Sequence, residues 1–254
     1  SNMGLTGNVC VSVTGAVLLS NPAVVSKVEE DYSSAELSFY LDATNMTDAA
    51  VTGTVTGVIT GPDGNKVADI KEENVTVAAG AYCQEIAINY TLENPELWWP
   101  YLYGDQPLYT VDYTFTAETV TSDTLHHRFG VREFGASVNR ATKGNSNKEN
   151  DMMQVFVNHV PVQIRGSGYQ PTDLYMRHST RALEATIEYA KQMGMNTFRD
   201  EGKFWSNDLL DLMDENGIMF MVGWCCCDRH QSTSNWTKAE RFVGYEGLYG
   251  QLRN

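Results

Sequence analysis

Ala35, Leu37, Phe39, Leu41 and Ala43 alternate strictly with Glu36, Ser38, Tyr40 and Asp42. A two-residue period sends successive side chains to opposite faces, so this stretch reads as a strand with one face buried and one solvated. Ile86, Ile88, Tyr90 and Leu92 repeat the device, as do Tyr109, Val111, Tyr113, Phe115 and Ala117. Between them lie the turn signals Asn45-Met46-Thr47-Asp48, Gly61-Pro62-Asp63-Gly64 and Ala79-Gly80. About seven short strands at this spacing, from Val9 to about Phe134, predict an antiparallel sandwich of immunoglobulin type. Cys10 and Cys83 frame no tryptophan, so the likeness to antibody domains is one of architecture only.

The pattern then changes. Residues 139–150 are polar, with Lys143, Gly144, Asn145, Ser146 and Asn147, and read as a linker. Val155-Phe156-Val157 and Val160-Pro161-Val162-Gln163-Ile164 predict a hairpin turning at Asn158-His159. Both turn residues there need positive φ, and His159 stands where glycine is usual. Val162 to Gly166 is expected as the first of three strands that alternate with helices. Ser179 or Thr180 can cap a helix from Arg181 to Met193, with Leu183, Ile187 and Ala190 on one face and Gly194 as its stop. Met195 to Lys203 is the second strand, apolar at first and charged at its far end. Ser206 or Asn207 caps a helix carrying Leu209, Leu212 and Met213 and ending at Gly217. Ile218 to Trp224 is the apolar run of a strand covered on both faces, and Lys238 to Arg253 predicts a third helix. Three successive β-α units open either an α/β barrel or a doubly wound sheet. Three parallel strands cannot close a barrel, which needs about eight, so the chain is expected to be a fragment of a longer protein. The predicted division is a sandwich over 1–137, a linker over 138–151 and the α/β part over 152–254.

Composition narrows the partners. A net charge of −14 over 254 residues argues against nucleic acid and anionic membrane, and it suits solubility or a cationic ligand. No apolar run approaches the ~20 residues that span a bilayer, and Ser1-Asn2 reads as a cloning remnant rather than a natural start. The cysteines Cys10, Cys83, Cys225, Cys226 and Cys227 show no zinc spacing and read as free thiols. Asp228 and His230 lack an evident third ligand, so neither a metal nor a cofactor is expected.

Several stretches, taken in order, resemble glycoside hydrolase family 2. Asn94-Pro95-Glu96-Leu97-Trp98-Trp99-Pro100 with Gly104-Asp105-Gln106-Pro107-Leu108-Tyr109 is similar to that family's sandwich signature, and Phe129-Gly130-Val131-Arg132-Glu133-Phe134 to its sandwich-to-barrel junction. Val157-Asn158, Pro161 and Ile164-Arg165-Gly166 resemble the start of the first barrel strand. Met3-Gly4-Leu5 and Val9 resemble the end of a preceding jelly roll. Within the family, Gly168-Tyr169-Gln170-Pro171-Thr172-Asp173, Arg199-Asp200-Glu201-Gly202-Lys203 and Gly223-Trp224-Cys225-Cys226-Cys227-Asp228 are most similar to exo-β-D-glucosaminidases, which release glucosamine from chitosan ends. The resemblance implies an all-β immunoglobulin-like sandwich followed by the first three β-α units of an incomplete (β/α)8 TIM barrel. It also implies an oligosaccharide substrate, a missing jelly roll, the remainder of the barrel as partners, and a periplasmic or secreted location.

Retaining glycoside hydrolysis needs two carboxyl groups ~5 Å apart. In the resembled family these follow the fourth and seventh barrel strands, so no catalytic residue is expected in this chain, and the chain alone is expected to be inactive. What the resemblance leaves is a substrate-binding wall. Asn196 and Arg199 match the family's asparagine-x-x-arginine motif, and a guanidinium there can hold a nucleophilic carboxylate ionised. Glu201 and Asp173 stand where the glucosaminidases bind the sugar ammonium, although Thr172 is an extra residue before Asp173. Carboxylates select an amine because an acetylated competitor would leave them unpaired. An ion-pair cluster with Lys203, Arg177 and Arg199 is the competing reading. Tyr169, Trp205 and Trp224 offer rings for sugar stacking or, alternatively, core anchors. The alternatives for function are a β-mannosidase or β-galactosidase-type member of the same family and, from another class, a non-catalytic carbohydrate-binding or interaction module. A module of that kind would have no use for the β-α units.

Overall fold

The computed structural model describes residues 9, 11–139, 152–169, 179–200, 206–222, 236–239, 241 and 245. Its first part is a two-sheet sandwich made of β1 (Val17–Val28), β2 (Ser34–Asn45), β3 (Val51–Thr60), β4 (Lys66–Val77), β5 (Gln84–Glu93), β6 (Tyr109–Ala117) and β7 (Val120–Phe129). One sheet has the order β1-β2-β5 and the other β4-β3-β6-β7, with every pairing antiparallel. The alternation read from the sequence is the one that fills the core. Leu37, Phe39 and Leu41 of β2 and Val111, Tyr113 and Phe115 of β6 are all buried, and most of their neighbours in sequence are more exposed. Asp42, expected on the solvated face, is instead fully buried, where its carboxylate accepts from the Asn21 side chain at 2.9 Å. Phe39 meets Phe129 edge-on at 5.6 Å, which lets the positive ring edge face the negative ring face across the two sheets. Val24 and Val25 of β1 lie just beyond a bulge at Ser20–Ala23, which shifts that strand's register.

A second, smaller sheet follows, formed by β8 (Phe134–Asn139), β9 (Met152–Val157) and β10 (Val160–Val162) in the order β10-β9-β8. The hairpin turn is as expected: Asn158 and His159 sit at φ 47° and 66°, both in the left-handed region. Two boundaries differ from expectation. Val138 and Asn139 are paired with Met153 and Met152, so they are strand rather than linker. The expected strand from Val162 to Gly166 is two strands separated by residues 163–165, because the carboxamide of Asn196 takes those residues' backbone. Its Nδ2 donates to the Gln163 carbonyl at 3.0 Å, and its Oδ1 accepts from the Arg165 amide at 2.8 Å.

The third sheet is parallel, with the order β11 (Gly166–Tyr169), β12 (Thr197–Asp200) and β13 (Met219–Met221). Helices α1 (Thr180–Gln192) and α2 (Asn207–Asn216) make the crossovers. The Ser179 side chain caps α1 by accepting the Ala182 amide, and Gly217 ends α2 at φ 71°, a left-handed geometry that suits glycine. Leu183, Ile187, Leu209 and Met213 turn onto Phe198 and Ile218. Burial of each such side chain stabilises by about 1.5–3 kcal/mol. The β11–β12 approach is close, and a Cβ on Gly166 would collide with the Thr197 carbonyl. The helix expected over Lys238 to Arg253 falls mostly outside the described residues, as does the linker beyond Asn139.

Candidate functional site

The parallel sheet has two unlike faces. Phe198 points to the helices and is buried with their apolar stripe, and Tyr169 lies flat against it at 5.2 Å between centroids. Tyr169 is therefore a core anchor rather than a ring offered to a sugar. Thr197 and Arg199 alternate with Phe198 and belong to the opposite face. The register sets Gly168, Arg199 and Met221 side by side across the three strands, near their C-terminal ends. Arg199 is exposed there and Met221 is 42% exposed. A row of this kind at the carboxyl edge of a parallel sheet is where α/β architectures assemble ligand sites.

Asn196 lies at the other end of β12. It is 1% exposed, and its carboxamide is committed to the Gln163 and Arg165 backbone and to the Thr197 hydroxyl. The motif that links Asn196 to Arg199 thus joins a buried backbone clamp to an exposed cation on the same strand. Of the other predicted site residues, Asp173 and Glu201 lie outside the described residues, as do Trp205, Trp224, Asp228 and His230. The structure accordingly brings Arg199 together with the strand ends and fixes Asn196 beneath them. No group of three or more His, Cys, Asp or Glu side chains among the described residues is arranged to hold a metal ion.

Two features near this sheet were not read from the sequence. Asn158, expected only as a turn residue, is fully buried: its Nδ2 donates to the Trp98 carbonyl at 3.0 Å and its Oδ1 accepts from the Glu133 amide at 2.8 Å. One side chain thereby ties the hairpin to the sandwich. The second is an open cleft of about 630 Å³ between β7 and α2, lined by His127, Arg128, Asp208, Asp211 and Glu215 among others. Burial, helped by the neighbouring His126, pushes the His127 imidazole down to about 4, so it is neutral at pH 7. Only a triplet of charges at α2 spacing, Asp211, Asp214 and Glu215, hinted in the sequence that this face meets cations.

Residues 17–132 match the family Glycosyl hydrolases family 2. These residues form a domain of that family. The relatives of the chain include the exo-β-D-glucosaminidase of Streptomyces avermitilis, 31% identical over 94% of this chain and 26% of the relative. The exo-β-D-glucosaminidase of Amycolatopsis orientalis is 32% identical over 92% of this chain and 21% of the relative. The crystal structure of the exo-chitosanase CsxA of Amycolatopsis orientalis superposes with a TM-score of 0.77 at 28% identity, covering 94% of this chain and 27% of that one. The chain thus spans about a quarter of the length of the curated relatives it matches.

Proposed function

We propose that this chain is part of a retaining glycoside hydrolase of the exo-β-D-glucosaminidase type, acting on the non-reducing ends of chitosan oligosaccharides. The observation that carries the reading is the row of Gly168, Arg199 and Met221 on the helix-free face at the carboxyl ends of three sequential parallel strands. In this reading the linker lies beyond Asn139, between β8 and β9 of the small antiparallel sheet, and the units from β11 onward open a (β/α)8 barrel. The catalytic carboxylates belong to later strands of the same barrel.

Each proposed role follows from chemistry and position. Arg199 would orient and keep ionised the nucleophilic carboxylate through charge-assisted hydrogen bonds. Glu201 and Asp173, one residue past β12 and four residues past β11, would face the 2-ammonium group of glucosamine. Selectivity then comes from the penalty on a neutral sugar that leaves two carboxylates desolvated and unpaired. Asn196 takes no sugar contact in this scheme; it fixes the backbone from which Arg199 projects. A polymeric extracellular substrate also implies a secreted or periplasmic location. Among the described residues no helix is long and apolar enough to cross a membrane.

The test uses the full-length product of the gene, with p-nitrophenyl β-D-glucosaminide and β-D-mannoside as substrates. Glu201→Gln should lower kcat/KM on the glucosaminide at least a hundredfold and leave any activity on the mannoside within a few-fold. Equal losses on the two sugars would refute the ammonium role. An unmodified enzyme that prefers the mannoside would replace the substrate assignment with the β-mannosidase reading. The 254-residue chain alone should show no turnover on either.

A further inference from the structure

Helix α2 joins the two strands that carry Arg199 and Met221, so its position sets theirs. Its inner side, Leu209 and Met213, is buried on the sheet, but its C-terminal half is finished by groups from outside the β-α units. The Gly217 turn directs the Ile218 amide to the Met213 carbonyl, and the Asp214 carbonyl takes the indole N–H of Trp98 at 2.7 Å instead. The Tyr101 amide donates to the Gly217 carbonyl at 2.7 Å. These are carbonyls that a helix end cannot satisfy by itself. The same end carries the negative pole of the helix and the side chains Asp211, Asp214 and Glu215. Arg128 of β7 pairs with Asp211 at 3.2 Å and with Glu215, and Arg132 pairs with Asp214 at 3.1 Å. Arg132 is held in place by Trp98, whose ring lies 4.5 Å beneath its guanidinium.

We propose that the sandwich is a positioning element for the strand-end site: Trp98, Tyr101, Arg128 and Arg132 cap and latch the C-terminal half of α2, and the latch holds β12 and β13 in register. Cations at the C-terminal end of a helix oppose its dipole in the favourable sense, and indole and amide donors satisfy the exposed carbonyls. The arginine pairs are only part-buried, so each is modest by itself. The hydrogen bonds to backbone make the arrangement directional. The role of the latch in catalysis rests on the pocket reading above, whereas the latch itself does not.

Amide hydrogen exchange on the 254-residue chain tests it. Arg128→Glu combined with Arg132→Met should speed exchange at least tenfold in α2 and in the β12 and β13 amides, while β2 and β6 amides stay within twofold. Adding Glu215→Arg should restore at least a third of the lost protection, because it places a cation on α2 opposite the carboxylate that Arg128→Glu puts on β7. The isolated packing change Arg132→Lys should accelerate α2 less than Arg132→Met. Strand amides that change less than threefold would overturn the proposal. So would a loss of protection shared equally by the sandwich, or the absence of any rescue. In the full-length enzyme the latch variants should lower kcat on the glucosaminide with little change in KM. Accelerated exchange in a protein with no affinity for glucosamine would sink the pocket reading and leave the latch standing.

Discussion

Replacing Asn158 with alanine should be among the most damaging single changes in the chain, although the residue sits in a two-residue turn. The side chain is fully buried and gives one hydrogen bond to the Trp98 carbonyl and takes one from the Glu133 amide. Alanine leaves both backbone groups unpaired and dry, at about 1–3 kcal/mol each. It must also hold φ 47°, which asparagine tolerates and alanine resists by about 1 kcal/mol. The expected loss is about 3–7 kcal/mol, a large share of the 5–15 kcal/mol typical of a domain. Asn158→Gly removes the same hydrogen bonds but not the backbone ease, so it should be about 1 kcal/mol less harmful than alanine. Urea unfolding followed by tryptophan fluorescence and far-UV circular dichroism measures both, with coincidence of the two probes checked before any free energy is taken. A loss below about 1 kcal/mol at unchanged slope, or a glycine variant no better than alanine, would refute the reasoning, since either means the two backbone groups find other partners.

Three further outcomes are expected. The folded-state pKa of His127 is depressed to about 4 from an ordinary 6.5, so the unfolded chain binds the extra proton first as pH falls. Stability should therefore drop between about pH 6.5 and 4, by up to about 3 kcal/mol, and His127→Gln should flatten that part of the Tm–pH curve; parallel curves would exclude the histidine as the cause. Gly166→Ala should disrupt the β11–β12 pairing, because the added carbon meets the Thr197 backbone rather than a movable side chain, whereas alanine at Gly135, where the nearest group is the Phe156 Cβ at 3.7 Å, should be tolerated; equal melting temperatures would contradict the close approach. Tyr113→Phe should raise stability by about 1–2 kcal/mol, since its hydroxyl is buried without a hydrogen-bond partner and burial pushes its pKa far up; a loss in calorimetry would point to a partner for that hydroxyl.

The local grammar of the fold was legible in the residues. Period-two alternation gave the sandwich strands, because a strand with one wet face has no other way to distribute apolar side chains. The apolar residues buried in β2 are those the alternation names, with Asp42 buried beside them against the pattern. The cap of α1 and the stop of α2 were equally readable, since Ser179 and Gly217 act through their own neighbours' backbone, whereas Ser206 at the head of α2 makes no side-chain capping hydrogen bond. Arg199 at a strand's charged end was legible for the same reason. Tertiary structure alone decided the long-range uses of polar groups. Asn196 breaks the expected strand at 163–165 from more than 30 positions away in sequence. Asn158, expected as a turn former, is spent on Trp98 and Glu133. Arg128 and Arg132, unremarkable within their own segments, meet the acidic side of α2 more than 80 residues later. A periodic apolar pattern reports which face is dry, whereas a single carboxamide or guanidinium has no period, and its partner exists only once the chain has folded.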